Sequence, residues 1–74
     1  MSQHRRLETD RDFEEALRRQ TGVRVFRDDH IVEPRGLLVR FDERSVVLQS
    51  GVGDLTYHER SRCEFFELKP GASR

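Results

Sequence analysis

The sequence predicts a mainly β domain with one N-terminal helix, folded as a small, strongly bent five-stranded open barrel. Three observations predict it. The hydrophobic period changes at Gly22 from helical spacing to alternation. From there on, short apolar runs are separated by turn-forming residues. In the run "GLLVRFDERSVVL", residues 36–48, a glycine precedes alternating aliphatics and an Asp-containing corner reverses the chain. Five short strands with a helix at one end bury more as a bent barrel than as a flat sheet.

The helix is predicted over 10–21. Thr9 or Asp10 can cap it, and Asp10, Asp12, Glu14 and Glu15 crowd its first turns, where the helix dipole favours acids. Arg18 and Arg19 stand in the last turn, and Gly22 is the expected terminator. Phe13, Ala16 and Leu17 make one narrow apolar stripe at i, i+3, i+4. So short a helix is unstable alone and must dock on something.

The five strands are predicted within 22–68. Val23, Arg24 and Val25 alternate as a half-exposed first strand. "RDDHIVEPR" reads as turn-like, with Pro34 arguing against a central strand. Leu37, Val39 and Phe41 then point to one face, with Leu38 and Arg40 on the other. Val46 to Leu48 return, "QSGVGD" turns, "LTYHE" is a fourth strand and "CEFFEL" a fifth. Residues 1–8 and 69–74 hold little to bury and are predicted as disordered tails around a 9–68 domain.

The chain has 74 residues, which bounds it to one domain of marginal stability. Cys63 is the lone cysteine, so no internal disulfide is available. His4, His30, His58 and Cys63 lack metal-ligand spacing, and neither a metal nor another cofactor is expected. That leaves self-association as the expected source of added stability. No stretch is apolar enough to span a membrane or serve as a signal peptide, so a cytoplasmic location is expected. Formal charge is zero, which argues against a globally basic nucleic-acid binder. Yet every cation except Lys69 is arginine, whose planar fork suits phosphate, carboxylate and base stacking.

The order of "FEEALRR", "TGVRVF", "GLLVRFDERSVVL" and "LTYHE" resembles the bacterial Hfq family, within the wider Sm and Sm-like proteins of SH3-like barrel fold. Gly36, Phe41, Asp42 and the aliphatics 46–48 match that family's first signature, and the resemblance runs from Phe13 to Phe66. It needs one extra residue between the first two strands and one fewer in the "SGVGD" turn. It implies a homo-oligomeric ring, expected to be a hexamer, closed by edge pairing between the fourth strand of one copy and the fifth of the next. It implies single-stranded RNA as partner and a non-catalytic role as RNA chaperone or post-transcriptional regulator.

Carried over residue by residue, the resemblance places an arginine rim at Arg18 and Arg19, with Thr21 where a third basic residue stands in the family. It places an adenine-stacking aromatic at Phe26 on the opposite face, flanked by Ile31 and Val32. The pore-side pocket departs from the family. Glu43 and Arg44 replace a Gln-aromatic pair, and Tyr57, His58 and Glu59 replace a Tyr-Lys-His triplet. Glu43 and Glu59 are expected to pair with Arg44, Arg60 or Arg62. This departure raises an alternative: an Sm-like assembly module that has lost the uridine site and contacts a protein partner instead.

Overall fold

The computed structural model describes residues 5–68. Six strands and one helix follow in the order β1 (Arg5–Leu7), α1 (Asp10–Arg19), β2 (Gly22–Arg27), β3 (His30–Phe41), β4 (Ser45–Ser50), β5 (Asp54–Glu59) and β6 (Glu64–Glu67). All strands join one antiparallel sheet in the order β1-β6-β2-β3-β4-β5. The domain is therefore mainly β with one helix near its N-terminus, as the sequence predicts, but with six strands rather than five.

The additional strand lies in the segment expected to be a disordered tail. Arg5, Arg6 and Leu7 pair with Glu67, Phe66 and Phe65, and Leu7 is buried. One buried leucine and a row of ladder bonds fix a segment whose composition is otherwise polar. The remainder of that tail, 1–4, and the predicted tail 69–74 lie outside the described residues.

Helix α1 begins where the cap was expected. Thr9 Oγ1 accepts from Asp12 N at 3.2 Å, and Asp12 Oδ2 accepts from Thr9 N at 3.1 Å, a reciprocal capping box. The helix stops earlier than predicted, at Arg19. Gln20 takes the left-handed conformation, φ 55°, and its N–H donates to Ala16 C=O at 2.9 Å. Gly22, the expected terminator, instead opens β2. Phe13 and Ala16 are buried, and the Phe13 ring meets Phe41 and Phe65 with centroids 5.5 Å away. This docking supplies the burial that a short helix needs.

Strand β3 corrects the reading of "RDDHIVEPR" as a turn. The turn is only Asp28-Asp29, both left-handed at φ 50° and 66°, and the strand runs through Pro34. Register shifts against β2 leave β3 with extra residues around Val32 and around Pro34-Arg35. A bulge is where a residue without an N–H fits inside a sheet. A further shift against β4 falls at Val39, between the Leu38↔Leu48 and Arg40↔Val47 pairs. It splits the predicted face of Leu37, Val39 and Phe41: Leu38 and Phe41 turn to the core, while Leu37 and Val39 stay on the outer surface.

These bulges bend β3 so that it pairs first with β2 and then with β4. Gly36 lies at the bend, where a Cβ would stand 3.1 Å from Leu48 Cβ and 3.4 Å from Gln49 O. The sheet curls far enough for His58 of β5 to meet Phe65 of β6 edge-on, with ring centroids 6.3 Å apart. Leu7, Phe13, Ala16, Val23, Val25, Leu38, Val46, Leu48 and Phe65 form the core inside that curl.

One expectation about edges changes. The last predicted strand, β6, was expected to offer an open edge to a neighbour. Here β2 covers one side of β6 and β1 the other. The sheet ends are β1 and β5.

Candidate nucleic-acid interface

The outer face of β1, β6 and β2 carries an arginine–aromatic row. Arg6 pairs with Phe66, and Phe66 pairs with Arg24, so the three stand side by side across three strands. Residues directly opposite in antiparallel pairs share a face. Phe26 lies two residues beyond Arg24 and meets Phe66 edge-on, with centroids 5.6 Å apart and planes at 84°. Arg24, Phe26, Phe66 and Leu68 line a surface cleft of about 330 Å³. Arg24 Nε donates to Pro34 C=O at 3.1 Å, which fixes the guanidinium beside the rings. Arg6 approaches Glu64 at 3.9 Å, an exposed and weak pairing that leaves its fork accessible.

Of the opposite-face residues expected from the sequence, Phe26 is therefore placed in a cleft. Ile31 is its register partner across the β2–β3 turn, and Val32 follows at the bulge; both are exposed. Phe66, Arg24 and Arg6 were not singled out for this site. Phe66 was readable, since in "EFFE" a period of two sends one of two adjacent phenylalanines outward. Arg6 was not, because its place depends on a strand pairing 60 residues along the chain.

The two rim arginines differ. Arg19 is tied to Glu15 at 3.9 Å and to Glu67 at 3.4 Å. Arg18 is exposed, with no ion pair among the described residues. Thr21, in place of a third cation, is buried and donates to Glu67 Oε2 at 2.6 Å.

The residues that the resemblance assigns to a pore-side pocket are brought together only in part. The corner is built by Asp42, whose Oδ1 accepts from Arg44 N and Ser45 N at 2.8 Å each. Those backbone donors hold its carboxyl below the usual range. Ser45 is the register partner of Glu59, and Arg60 N donates to Arg44 C=O at 2.8 Å, so Glu43 and Arg44 lie beside the end of β5. Glu59 pairs with Arg62 at 3.4 Å, within the chain. Arg60 does not serve Glu43 or Glu59. Its guanidinium donates to Asp10 Oδ1 at 2.8 Å and Asp42 C=O at 2.7 Å, and lies 4.6 Å over the Phe13 ring.

His58 and Tyr57 diverge. Tyr57 is exposed, whereas the His58 side chain is only 12% exposed and faces inward. Its Nε2 stands 3.2 Å from Thr56 Oγ1 and 3.9 Å from the buried carboxylate of Glu33. Burial lowers the His58 pKa, and Glu33 partly offsets this. Tyr57, His58 and Glu59 nevertheless line one surface cleft of about 320 Å³ together with Arg27, Val32, Arg62 and Cys63, whereas Glu43 and Arg44 border a separate one with Asp42.

No family model, curated protein or solved structure matches the chain.

Proposed function

We propose that this chain is an Sm-like, Hfq-type module that binds single-stranded RNA without catalysing a reaction on it, as an RNA chaperone or regulator. The observation that carries the reading is the Arg6–Phe66–Arg24 row with Phe26 set against it. Aromatic faces accept stacked bases regardless of sequence, and flanking guanidinium forks take the phosphates between them. Arg18 adds a backbone contact at the helix end. With zero net charge, attraction must be local rather than global, so affinity should be modest and strongly salt-dependent. A ring closed in that family's manner would also require β1 to leave β6, because β1 occupies the edge such closure uses.

The test is fluorescence anisotropy with short A-rich, U-rich and mixed unstructured RNAs at low and physiological salt. Binding at low salt that weakens with salt supports the reading. Absence of measurable affinity for all three at low salt overturns it.

A second reading is favoured by the outer face of β3, β4 and β5. Leu37, Val39, Leu55 and Tyr57 are exposed there, beside the acidic corner at Glu43 and Glu59. Such a face suits an assembly or protein-interaction module. This reading predicts a protein partner in pull-downs that survives nuclease treatment, together with no RNA affinity.

A further inference from the structure

The two ends of the sheet are unequal. β1 offers three residues, and the carbonyl just beyond it, on Glu8, is engaged by Arg60 at 3.3 Å. β5 offers six residues in unbroken register with β4, from Ser45↔Glu59 to Ser50↔Asp54. Natural sheets blunt such edges with Lys, Pro or a bulge. "DLTYHE" has none of the three, and its two acids, Asp54 and Glu59, stand only at its ends.

The groups that β5 presents follow from the ladder. Arg60 N–H donates to Arg44 C=O, so position 60 is a bonded position in this pairing. Antiparallel ladders alternate bonded and non-bonded positions. Thr56 and His58 therefore direct their backbone groups to β4, while Leu55, Tyr57 and Glu59 direct theirs outward. The Glu59 carbonyl is already taken, accepting from Arg62 N and Cys63 N at 3.2 and 3.1 Å. What remains open is the N–H and C=O of Leu55 and of Tyr57, with the Glu59 N–H at the strand end. Their side chains are 50% and 64% exposed. Leu55 also continues an outer-face row through Gln49 to the exposed Leu37.

We propose that a second copy of this chain docks along β5 by antiparallel, two-fold pairing centred on Thr56, with Leu55 opposite the partner's Tyr57. In this register the open N–H groups of Leu55 and Tyr57 each meet an open C=O, and both apolar side chains are covered by their counterparts. Asp54 falls opposite the partner's His58 rather than opposite the partner's Glu59, so no like charges face each other. Other registers fail on the same grounds. A slip of one residue sets outward groups against inward ones and forms no ladder. Centring on Tyr57 sets Leu55 against the partner's Glu59, whose carbonyl is occupied. Centring on Leu55 sets Tyr57 against the partner's Gly53, which sits in a turn at φ 85°. The self-complementary patch makes the contact isologous, so it closes at two copies. It does not depend on RNA binding, and it competes with a ring because both need β5.

The experiment uses the full chain. Light scattering should give twice the 8.8 kDa chain mass. Thr56→Cys in a Cys63→Ser background should form a covalent dimer on mild oxidation. The two positions 56 would be a non-bonded pair with Cα atoms about 4.5 Å apart, within disulfide reach. Leu55→Lys should weaken association at least tenfold with unchanged circular dichroism. A monomer at tens of micromolar, or a six-membered ring, overturns the proposal. So does a dimer in which Thr56→Cys does not cross-link, or one that persists undiminished in Leu55→Lys.

Discussion

Thr21 Oγ1 donates a 2.6 Å hydrogen bond to Glu67 Oε2, with both side chains buried. The other oxygen, Oε1, is approached by Arg5 Nε at 3.3 Å and Arg19 Nη1 at 3.4 Å. One carboxylate thus joins β1, the end of α1 and β6. Glu67→Ala should destabilise the fold by about 1–3 kcal/mol, since it leaves the buried Thr21 hydroxyl without its acceptor, whereas Arg5 and Arg19 keep Glu15. Glu67→Gln, which keeps an acceptor for Thr21, should cost less. Urea denaturation midpoints check the order, and equal losses would show that the acceptor kept by glutamine contributes nothing without the charge.

Arg60 closes the opposite side of the core. Arg60→Ala removes the bonds to Asp42 C=O and Glu8 C=O and the cover over Phe13, at an expected cost of about 1–2 kcal/mol. Its ion pair with the exposed Asp10 should contribute little of that, so Asp10→Asn should be near neutral. Arg60→Lys should recover only part of the loss, because an ammonium lacks the fork that reaches two carbonyls.

For RNA, Phe66→Ala and Phe26→Ala should each weaken binding about tenfold, in line with about 1–3 kcal/mol per stacked base. Arg24→Ala should weaken it and reduce the salt dependence, while Arg18→Ala should change mainly the salt dependence. Titrations at two salt concentrations distinguish stacking from phosphate contact.

Acid should destabilise the fold in two stages. Burial lowers the His58 pKa below its ordinary 6.5, so the unfolded chain binds the proton more readily. Stability is therefore full above about 6.5 and falls as pH drops towards the lowered folded value. Asp12 and Asp42 are held below their ordinary 3.8 by backbone donors, and Glu15 below 4.5 by Arg5. Their contributions are present above those values and are lost in the second stage, as pH falls through the lowered ones. Denaturation midpoints at about pH 7.5, about 5.5 and about 3 should show both stages, and His58→Gln should remove the first.

Asp28 and Asp29 hold a two-residue hairpin in which both central residues are left-handed. Glycine is favoured at the second such position. Asp29→Gly should stabilise the protein by about 0.5–1 kcal/mol. Thermal melting checks it; a lower midpoint would mean that the aspartate side chain supports the turn.

Much of this fold is legible where cause and effect are close in sequence. Thr9 and Asp12 announce the helix start, and Phe13 and Ala16 its buried stripe. Asp42 announces the corner it builds from its own neighbours' N–H groups. What is not legible depends on distant partners. Glu67 is buried because Thr21, Arg5 and Arg19 reach it, and Glu33 because Thr56 and His58 stand beside it. Either would pass for a surface acid in a local reading. The Pro34 strand is similarly hidden, because a bulge is a property of two strands. In the candidate site Phe26 could be expected, but Arg6 and Phe66 meet only through the unforeseen first strand.

That first strand also gives everything placed ahead of Arg5 a leverage out of proportion to its size. A fusion partner, a tag or a cleavage scar that tugs on three residues would unzip a margin of the sheet, take one of the two arginines out of the arginine–phenylalanine row and expose a second sticky border. Preparations differing only in how they begin could then behave as different molecules, in the number of copies they gather and in what they hold.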